Sequence, residues 1–331
     1  MEKVIVVILT YNLKNYIGKA LDSVLSQKTS FDYKILVSDD ASTDGTVEIL
    51  KEYQARYPEK IDLILAEQNV GCLANSNRAF DKIDCEYFAL LDGDDYWVGE
   101  DRLQAQVDFL DTHKEYSMVG GNTQLLRDGV LSEMQVPEKN LGKSYSFQDM
   151  IDYKMPFVHT SAILLRNMIF KDGLPCCFFD AVNSFENCAL RGEDFRRILH
   201  LEKGPMYIMP ELVSVYRIHE QGIWQGSKEI HQKIETLIYV NFIQKYFGDQ
   251  YGDHFLKELR RAYLDVKLYL RKHEKMWNSC ILDQRDIKLL SEVLVDMSEH
   301  RKRFEQLDQY VKMHLIKRTV KKVLRYFMIW K

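Results

Sequence analysis

The chain predicts an α/β fold: a mostly parallel, doubly wound sheet flanked by helices, with a helical C-terminal extension. Three observations carry this. Short apolar, β-branched runs alternate with segments of helical period through the first hundred residues. The runs are continuous, as in strands buried on both faces. Polar and acidic turn residues follow the runs, and the last hundred residues nearly lose glycine and proline while helical periodicity takes over.

Val4 to Leu9 reads as a central parallel strand and ends in Thr10-Tyr11-Asn12. Ile17, Leu21, Val24 and Leu25 then fall on one helical face. Ile35-Leu36-Val37 is the second strand. It leads into Ser38-Asp39-Asp40-Ala41-Ser42-Thr43-Asp44-Gly45-Thr46, in which Asp44 is expected to cap a helix carrying Ile49, Leu50 and Tyr53. Ile61 to Leu65 is the third strand, Asn69-Val70-Gly71 a turn, and a helix passes through Ala74, Arg78 and Ala79. Tyr87-Phe88-Ala89-Leu90-Leu91 is the fourth strand and runs into Asp92-Gly93-Asp94-Asp95.

Those last carboxylates stand just past a strand end, the edge at which open α/β sheets bind ligands. Like charges so close repel one another unless a cation or a ring of donors neutralises them. Their oxygens suit Mg²⁺ or Mn²⁺, which commonly bridge to substrate phosphates. Thr10, Asp40 and Asp92 are expected to converge along the same edge. Asp39 or Asp40 could accept the imide N–H of uracil or thymine, because an ionised carboxylate only accepts. Arg78 is placed to pair with a diphosphate through two parallel contacts. Each residue alone would be unremarkable as a turn cap or a solvated charge; their joint placement is the signal.

With these motifs the chain resembles the family 2 glycosyltransferases, inverting nucleotide-sugar-dependent enzymes of GT-A (Rossmann-like) fold. The matching residues are Thr10-Tyr11-Asn12, Asp39 to Thr46, Asn69-Val70-Gly71, Leu91-Asp92-Gly93-Asp94-Asp95, Arg191-Gly192-Glu193-Asp194 and Tyr216-Arg217-Ile218-His219. They cover about two-thirds of the chain in order and spacing. One tract departs: Ala74-Asn75-Ser76-Asn77-Arg78 follows the Asn-x-Gly turn where family members often carry Ala-Arg-Asn.

The resemblance implies roles. Thr10, Tyr11, Asn12, Asp39 and Asp40 line the nucleoside pocket, with Asp40 on the base. Asp92 and Asp94 form the pair that holds ribose and metal, with Gly93 between them, and Asp95 is a third carboxylate able to take the metal. Asp194 is the general base, Glu193 its neighbour, and His219 approaches the metal or the diphosphate. Elementary chemistry asks for the same parts. A nucleoside diphosphate leaves readily only when its charge is neutralised, as by Mn²⁺ or Mg²⁺ clamped by Asp94 and His219. An acceptor hydroxyl needs a base within hydrogen-bond reach, on the face opposite the leaving group. Trp224, in Gln221-Gly222-Ile223-Trp224-Gln225-Gly226, is expected in a lid near the donor. Trp97 suits packing and sugar stacking equally. His159-Thr160-Ser161 and Asn122 could meet acceptor hydroxyls, although satisfaction of loop polar groups explains each of them singly.

With 331 residues and 46% hydrophobic content, the chain supports roughly two domains, or one with an extension. The expected division is a nucleotide-sugar-binding half over 1–100, an acceptor-binding half over 101–226 and the helical extension over 227–331. A net charge of -4 speaks against a nucleic-acid partner. Six cysteines include no C-x-x-C pair, which fits a reducing cytosol without zinc or a disulfide framework. No signal peptide or membrane-spanning run is read, so the expected place is cytoplasmic.

From Val311 to Lys331 the chain carries Lys312, Lys317, Arg318, Lys321, Lys322, Arg325 and Lys331 with no acidic residue. Ile316, Val320, Val323, Leu324 and Phe327 share one helical face. This basic amphipathic end is expected to lie on an anionic membrane surface, at the inner face of the cell membrane. The alternative is a helix packed on the protein, and the extension could also form a homo-oligomer interface. The expected activity is metal-dependent transfer from a UDP- or dTDP-sugar to a glycan acceptor, lipid-linked, in capsule- or O-antigen-type synthesis. A non-catalytic nucleotide-sugar-binding scaffold is the alternative. A nucleotidyltransferase fits less well, because Thr10-Tyr11-Asn12-Leu13-Lys14 supplies no Gly-rich phosphate loop.

Overall fold

The structure is a computed structural model and describes residues 1–190, 194–219, 228–273 and 282–299. They fall into two compact units, 1–182 with 194–219, and 183–190 with 228–273 and 282–299. Glu193 and Trp224, and the basic segment 311–331, lie outside the described residues.

In the first unit the chain runs β1 (Glu2–Thr10), α1 (Ile17–Leu25), β2 (Tyr33–Asp39), α2 (Thr46–Arg56), β3 (Ile61–Leu65), α3 (Cys72–Phe80), β4 (Cys85–Asp92) and β5 (Tyr96–Trp97). It continues through α4 (Arg102–Thr112), β6 (Met118–Arg127), β7 (Val130–Met134), β8 (Lys143–Tyr145), α5 (Phe147–Ile151), β9 (Ile163–Arg166) and α6 (Cys176–Val182). After α7 (Asn187–Leu190), which belongs to the second unit, it closes with α8 (Asp194–Lys203) and β10 (Met206–Ile218). One sheet orders the strands β3-β2-β1-β4-β9-β6-β10-β5, with β7 on β6 and β8 on β10.

The β3-β2-β1-β4 half is parallel throughout, as the alternating pattern requires. Val4, Val6 and Ile8 of β1 are wholly buried, because the strand is flanked by β2 and β4 and faces helices. α1 sets Ile17, Ala20, Leu21 and Val24 against this core. The other half is mixed: β9 is antiparallel to β4 and β6, whereas β6 and β10 run parallel. β10 is irregular, with register shifts between Ile208 and Ser214 around Pro210, a residue that cannot donate to a ladder.

The α2 boundary differs from the expectation. The residue before the helix is Gly45, at φ 102°, and Asp44 stands one position further out. Its Oδ1 still accepts from the Thr46 N–H at 3.0 Å, and its Oδ2 accepts from the Lys14 N–H at 2.9 Å. One carboxylate thus ties the start of α2 to the loop after β1.

The second unit comprises α7, α9 (Glu229–Phe247), α10 (His254–Lys272) and α11 (Gln284–Glu299). Ile234, Ile238, Leu259, Val266, Leu290 and Val293 are among the side chains of its apolar core. His231 is held between Glu235 and Asp286, each at 2.7 Å. No helix among the described residues is long and apolar enough to cross a membrane.

Candidate active site

Strand register brings the predicted residues together. Thr10 pairs with Asp39 across β1 and β2, and Leu9 pairs with Asp92 across β1 and β4. The ends of three adjacent parallel strands therefore deliver Thr10, Asp39-Asp40 and Asp92 to one edge. Thr10 is buried, and its Oγ1 bonds to no described residue.

The loops after β1 and β2 interlock. Asp39 is fully buried; its Oδ1 accepts the Ser42 N–H at 2.9 Å and its Oδ2 the Ser42 hydroxyl at 2.6 Å. Ser42 Oγ in turn accepts the Asn12 N–H at 2.7 Å, and Asn12 Oδ1 accepts the Thr43 N–H at 2.8 Å. Asn12 and Ala41 take the left-handed conformation, at φ 55° and 59°. That conformation is costly for a residue with a Cβ, and the hydrogen bonds of Asp39, Ser42 and Asn12 hold it. Tyr11, between Thr10 and Asn12, is half exposed.

Asp40, expected on the base, is also tied to the chain. Its Oδ1 accepts the Val70 N–H at 2.7 Å and its Oδ2 the Gly71 N–H at 2.9 Å. It therefore pins the Asn69-Val70-Gly71 turn to β2. Gly71 leads into α3, where Asn75 exchanges hydrogen bonds with Ser38 on β2. Arg78 lies one turn further along, with Nη1 3.4 Å from Asn75 Oδ1.

The acidic cluster makes a tight turn, in which the Asp95 N–H donates to the Asp92 carbonyl at 2.9 Å. Gly93 sits against β1: a Cβ there would stand 3.0 Å from the Leu9 carbonyl oxygen and 3.0 Å from Leu13 Cδ1. Only glycine lets the backbone approach that closely. Asp92 and Asp94 are half-buried, whereas Asp95 is 1% exposed. Its Oδ2 accepts the Ser161 hydroxyl at 2.6 Å and its Oδ1 the Arg217 N–H at 2.9 Å. Burial, and then the charge of Asp94, push the Asp95 carboxyl well above the usual carboxylate range.

β10 supplies the far wall. It pairs antiparallel with β5, Val215 opposite Tyr96, and so carries Arg217 and His219 past the acidic turn. Arg217 Nε donates to the Asp94 carbonyl at 2.9 Å, and His219 Nε2 lies 2.9 Å from Asp94 Oδ2. His219 Nδ1 is buried and bonds to no described residue. The Tyr16 ring lies 4.9 Å from the His219 ring.

A histidine not expected in the acidic cluster enters from the turn before β9. His159 Nδ1 stands 3.6 Å from Asp95 Oδ2, and donor atoms of Asp92, Asp95 and His159 lie within 4.8 Å of one another. Burial first, and then the Arg197 charge, lower the His159 pKa to about 4, so the ring is neutral at pH 7. Its Nδ1 accepts the Ser161 N–H at 3.3 Å. The Ser161 carbonyl accepts from Trp97 Nε1 at 3.0 Å, which gives the buried Trp97 a packing and anchoring place. Asn122 is likewise occupied, holding Val136 through its side chain.

Among the described residues one set of three donors, Asp92, Asp95 and His159, is close enough together to receive a divalent cation. In the Asp92-Asp95-His159 set, both Asp95 oxygens and His159 Nδ1 already accept hydrogen bonds. Asp94 and His219 offer a second, two-residue pair, in which a half-buried carboxylate and an imidazole meet side by side. Oxygen and imidazole donors of this kind fit Mn²⁺ or Mg²⁺.

Asp194 opens α8 with its side chain 54% exposed, and pairs with Arg197. Arg197 Nη1 also donates to the Val158 carbonyl at 3.0 Å, which links Asp194 to the segment that carries His159. Sequence reasoning did not single out Ser161, Tyr16 or Arg217 individually. Their signals were slight: Ser161 follows His159, Tyr16 precedes a helix start, and Arg217 stands within the Tyr216-Arg217-Ile218-His219 motif.

Comparison with known proteins agrees with this geometry. The family described as "Glycosyl transferase family 2" matches residues 5–174, just over half of the chain. The uncharacterized protein Rv1520 of Mycobacterium tuberculosis is 29% identical over 222 residues, 67% of this chain and 60% of that protein. The putative teichuronic acid biosynthesis glycosyltransferase TuaG of Bacillus subtilis is 36% identical over 101 residues, 30% of this chain and 39% of its own. The chain thus spans less than two-thirds of the length of these relatives. Among solved structures, S. aureus TarS 1-349 in complex with UDP-GlcNAc has a TM-score of 0.58 at 16% identity, covering 88% of this chain and 80% of that one, which is a likeness of fold. On the family match, carried by the tract that holds the loops after β1 and β2 and the acidic turn, the chain belongs to glycosyl transferase family 2.

Proposed function

We propose that the protein is an inverting, metal-dependent glycosyltransferase. It moves a sugar from a nucleoside-diphosphate sugar, UDP or dTDP, to a hydroxyl of a glycan acceptor. The observation that carries this is the meeting of Asp94 and His219 at 2.9 Å beside the strand ends that bear Thr10, Asp39 and Asp92. A cation held at the strand ends would supply the charge neutralisation that departure of a diphosphate requires. TarS, of similar fold, is known in complex with UDP-GlcNAc.

Thr10, Tyr11, Asn12 and the Asp39–Ser42 loop line the nucleoside pocket, with Asp40 shaping it through the 69–71 turn. Arg78 lies towards the diphosphate side. Asp92, Asp94 and His219 would hold Mn²⁺ or Mg²⁺, and buried Asp95 anchors Ser161 and Arg217 beside them. When bound, the cation neutralises charge on the departing diphosphate as a Lewis acid.

Asp194 accepts the proton of the acceptor hydroxyl, with Glu193 beside it in sequence. As that proton leaves, the hydroxyl oxygen bonds to the anomeric carbon from the face opposite the diphosphate. The anomeric C–O bond breaks and its electron pair stays on the diphosphate oxygen, so configuration inverts. TuaG is named for teichuronic acid biosynthesis, which supports a surface polysaccharide as the setting. A lipid-linked acceptor at the inner membrane face, reached through 311–331, completes the reading.

The test is nucleotide release from UDP-, dTDP- and GDP-sugars with Mn²⁺, with Mg²⁺ and with EDTA, using a membrane extract as acceptor source. Release from one donor, abolished by EDTA, is expected. Asp194→Asn is expected to bind that donor normally and to lose about 10²–10⁴-fold in transfer. Turnover retained by that variant would remove Asp194 as the base, and nucleotide binding without turnover by the unaltered protein under any condition would favour a scaffold.

A further inference from the structure

Arg217 is held at three points. Its backbone N–H donates to buried Asp95 at 2.9 Å, and its Nε to the Asp94 carbonyl at 2.9 Å. Its guanidinium lies 4.8 Å from the Tyr16 ring centroid and 5.6 Å from that of Tyr96. These contacts fix the plane of the fork. Both terminal nitrogens bond to no described residue, on a side chain that is only half-buried. The exposed Lys19 places its ammonium 3.6 Å above the same Tyr96 ring. Among the described residues neither cation makes a close side-chain contact with a carboxylate, although the Arg217 charge acts on buried Asp95.

A guanidinium fixed in this way loses little freedom when it binds, and its planar fork matches the paired oxygens of a phosphoryl group. Its Nε anchor is the carbonyl of the same Asp94 whose carboxylate meets His219, which ties the guanidinium to the residue at the candidate cation site. We infer that Arg217 is a phosphate-binding residue of the transfer site, holding a phosphoryl group beside Asp94 with Lys19 extending the positive surface outward. That group is either the donor's diphosphate or a phosphate on the acceptor. Because it belongs to the transfer reaction proposed above, Arg217 has no such ligand if that reading is false.

Titration calorimetry on the full chain with Mn²⁺ tests this. The unaltered protein is titrated with UDP, dTDP and GDP, and Arg217→Gln and Arg217→Lys are compared on the nucleotide that binds. If the donor's diphosphate is the ligand, Arg217→Gln weakens it about 10–100-fold. Affinity for the phosphate-free nucleoside stays as it was. Arg217→Lys, which keeps the charge and loses the fork, recovers only part. If the phosphate is the acceptor's, diphosphate affinity is unchanged, while binding of glycerol 3-phosphate, used as a probe for a polyol phosphate, is lost in Arg217→Gln and reduced in Lys19→Gln.

Unchanged affinity of both Arg217 variants for both probes overturns the inference. So does a parallel loss of nucleoside affinity, which would mark a collapsed loop. Failure of the unaltered protein to bind any of the three nucleotides instead overturns the donor-site reading, and the Arg217 assignment with it.

Discussion

Replacing Asp40 by Asn separates two roles for one carboxylate. Asp40 is 3% exposed and receives the Val70 and Gly71 N–H groups at 2.7 and 2.9 Å. Asparagine offers one oxygen and one NH₂ in the same space, so one of the two N–H donors faces another donor. A buried donor left unsatisfied costs about 1–3 kcal/mol, and loss of charge assistance on the other bond adds to that. The expected destabilisation is about 2–4 kcal/mol. For a unit of this size that lowers the melting temperature by about 5–15 °C. The assay is a melting curve with and without nucleotide, beside a titration with the bound nucleotide and its nucleoside. A loop pin predicts the stability loss together with weakened binding of every base. A stability change under about 0.5 kcal/mol, with selective loss of one base, would refute the pin and return Asp40 to the base itself.

Two further predictions follow from the physics of burial and charge. His200 is buried beside Phe88 and Phe170, and burial lowers its pKa from 6.5 to about 4, with the Arg196 charge acting the same way. Between those values the unfolded chain binds a proton that the folded chain does not, so stability rises with pH there. It is lost as pH falls from 6.5 towards 4, by up to about 3 kcal/mol. His200→Phe is expected to flatten that part of the stability–pH profile measured by denaturant melts, and an unchanged slope would show that other groups set it. At the chain end, truncation before Val311 is expected to abolish binding to vesicles of anionic lipid in a flotation assay. Retained binding would place any membrane contact elsewhere.

The parallel half of the sheet was legible because it is written in continuous local runs. Val4 to Leu9, Ile35 to Val37 and Tyr87 to Leu91 each bury both faces, so hydrophobicity alone marks them. The second half was less so. β10 joins β6 at long range, and Pro210 with its register shifts breaks the period that would have announced a strand of that length. The helix boundary at α2 moved by one residue, because Asp44 serves Lys14 and Thr46 together, a contact across two loops that local capping rules do not contain.

The same division runs through the site. Residue types at strand ends were enough to bring Thr10, Asp39, Asp40 and Asp92 to one edge, since parallel register follows from the alternation of strands and helices. What each carboxylate meets was decided in three dimensions. Asp92, Asp94 and Asp95 are neighbours in sequence, yet Asp95 is turned into the interior by Ser161 and Arg217 while Asp94 is left beside His219. Ser161 lies 66 residues from Asp95 and Arg217 lies 122. Local propensity acts over a few residues, whereas desolvation and hydrogen-bond competition depend on what the fold packs against each oxygen. The sequence by itself determined the chemistry available at this edge; the packing of β9 and β10 against the acidic turn decided how that chemistry is divided among the carboxylates.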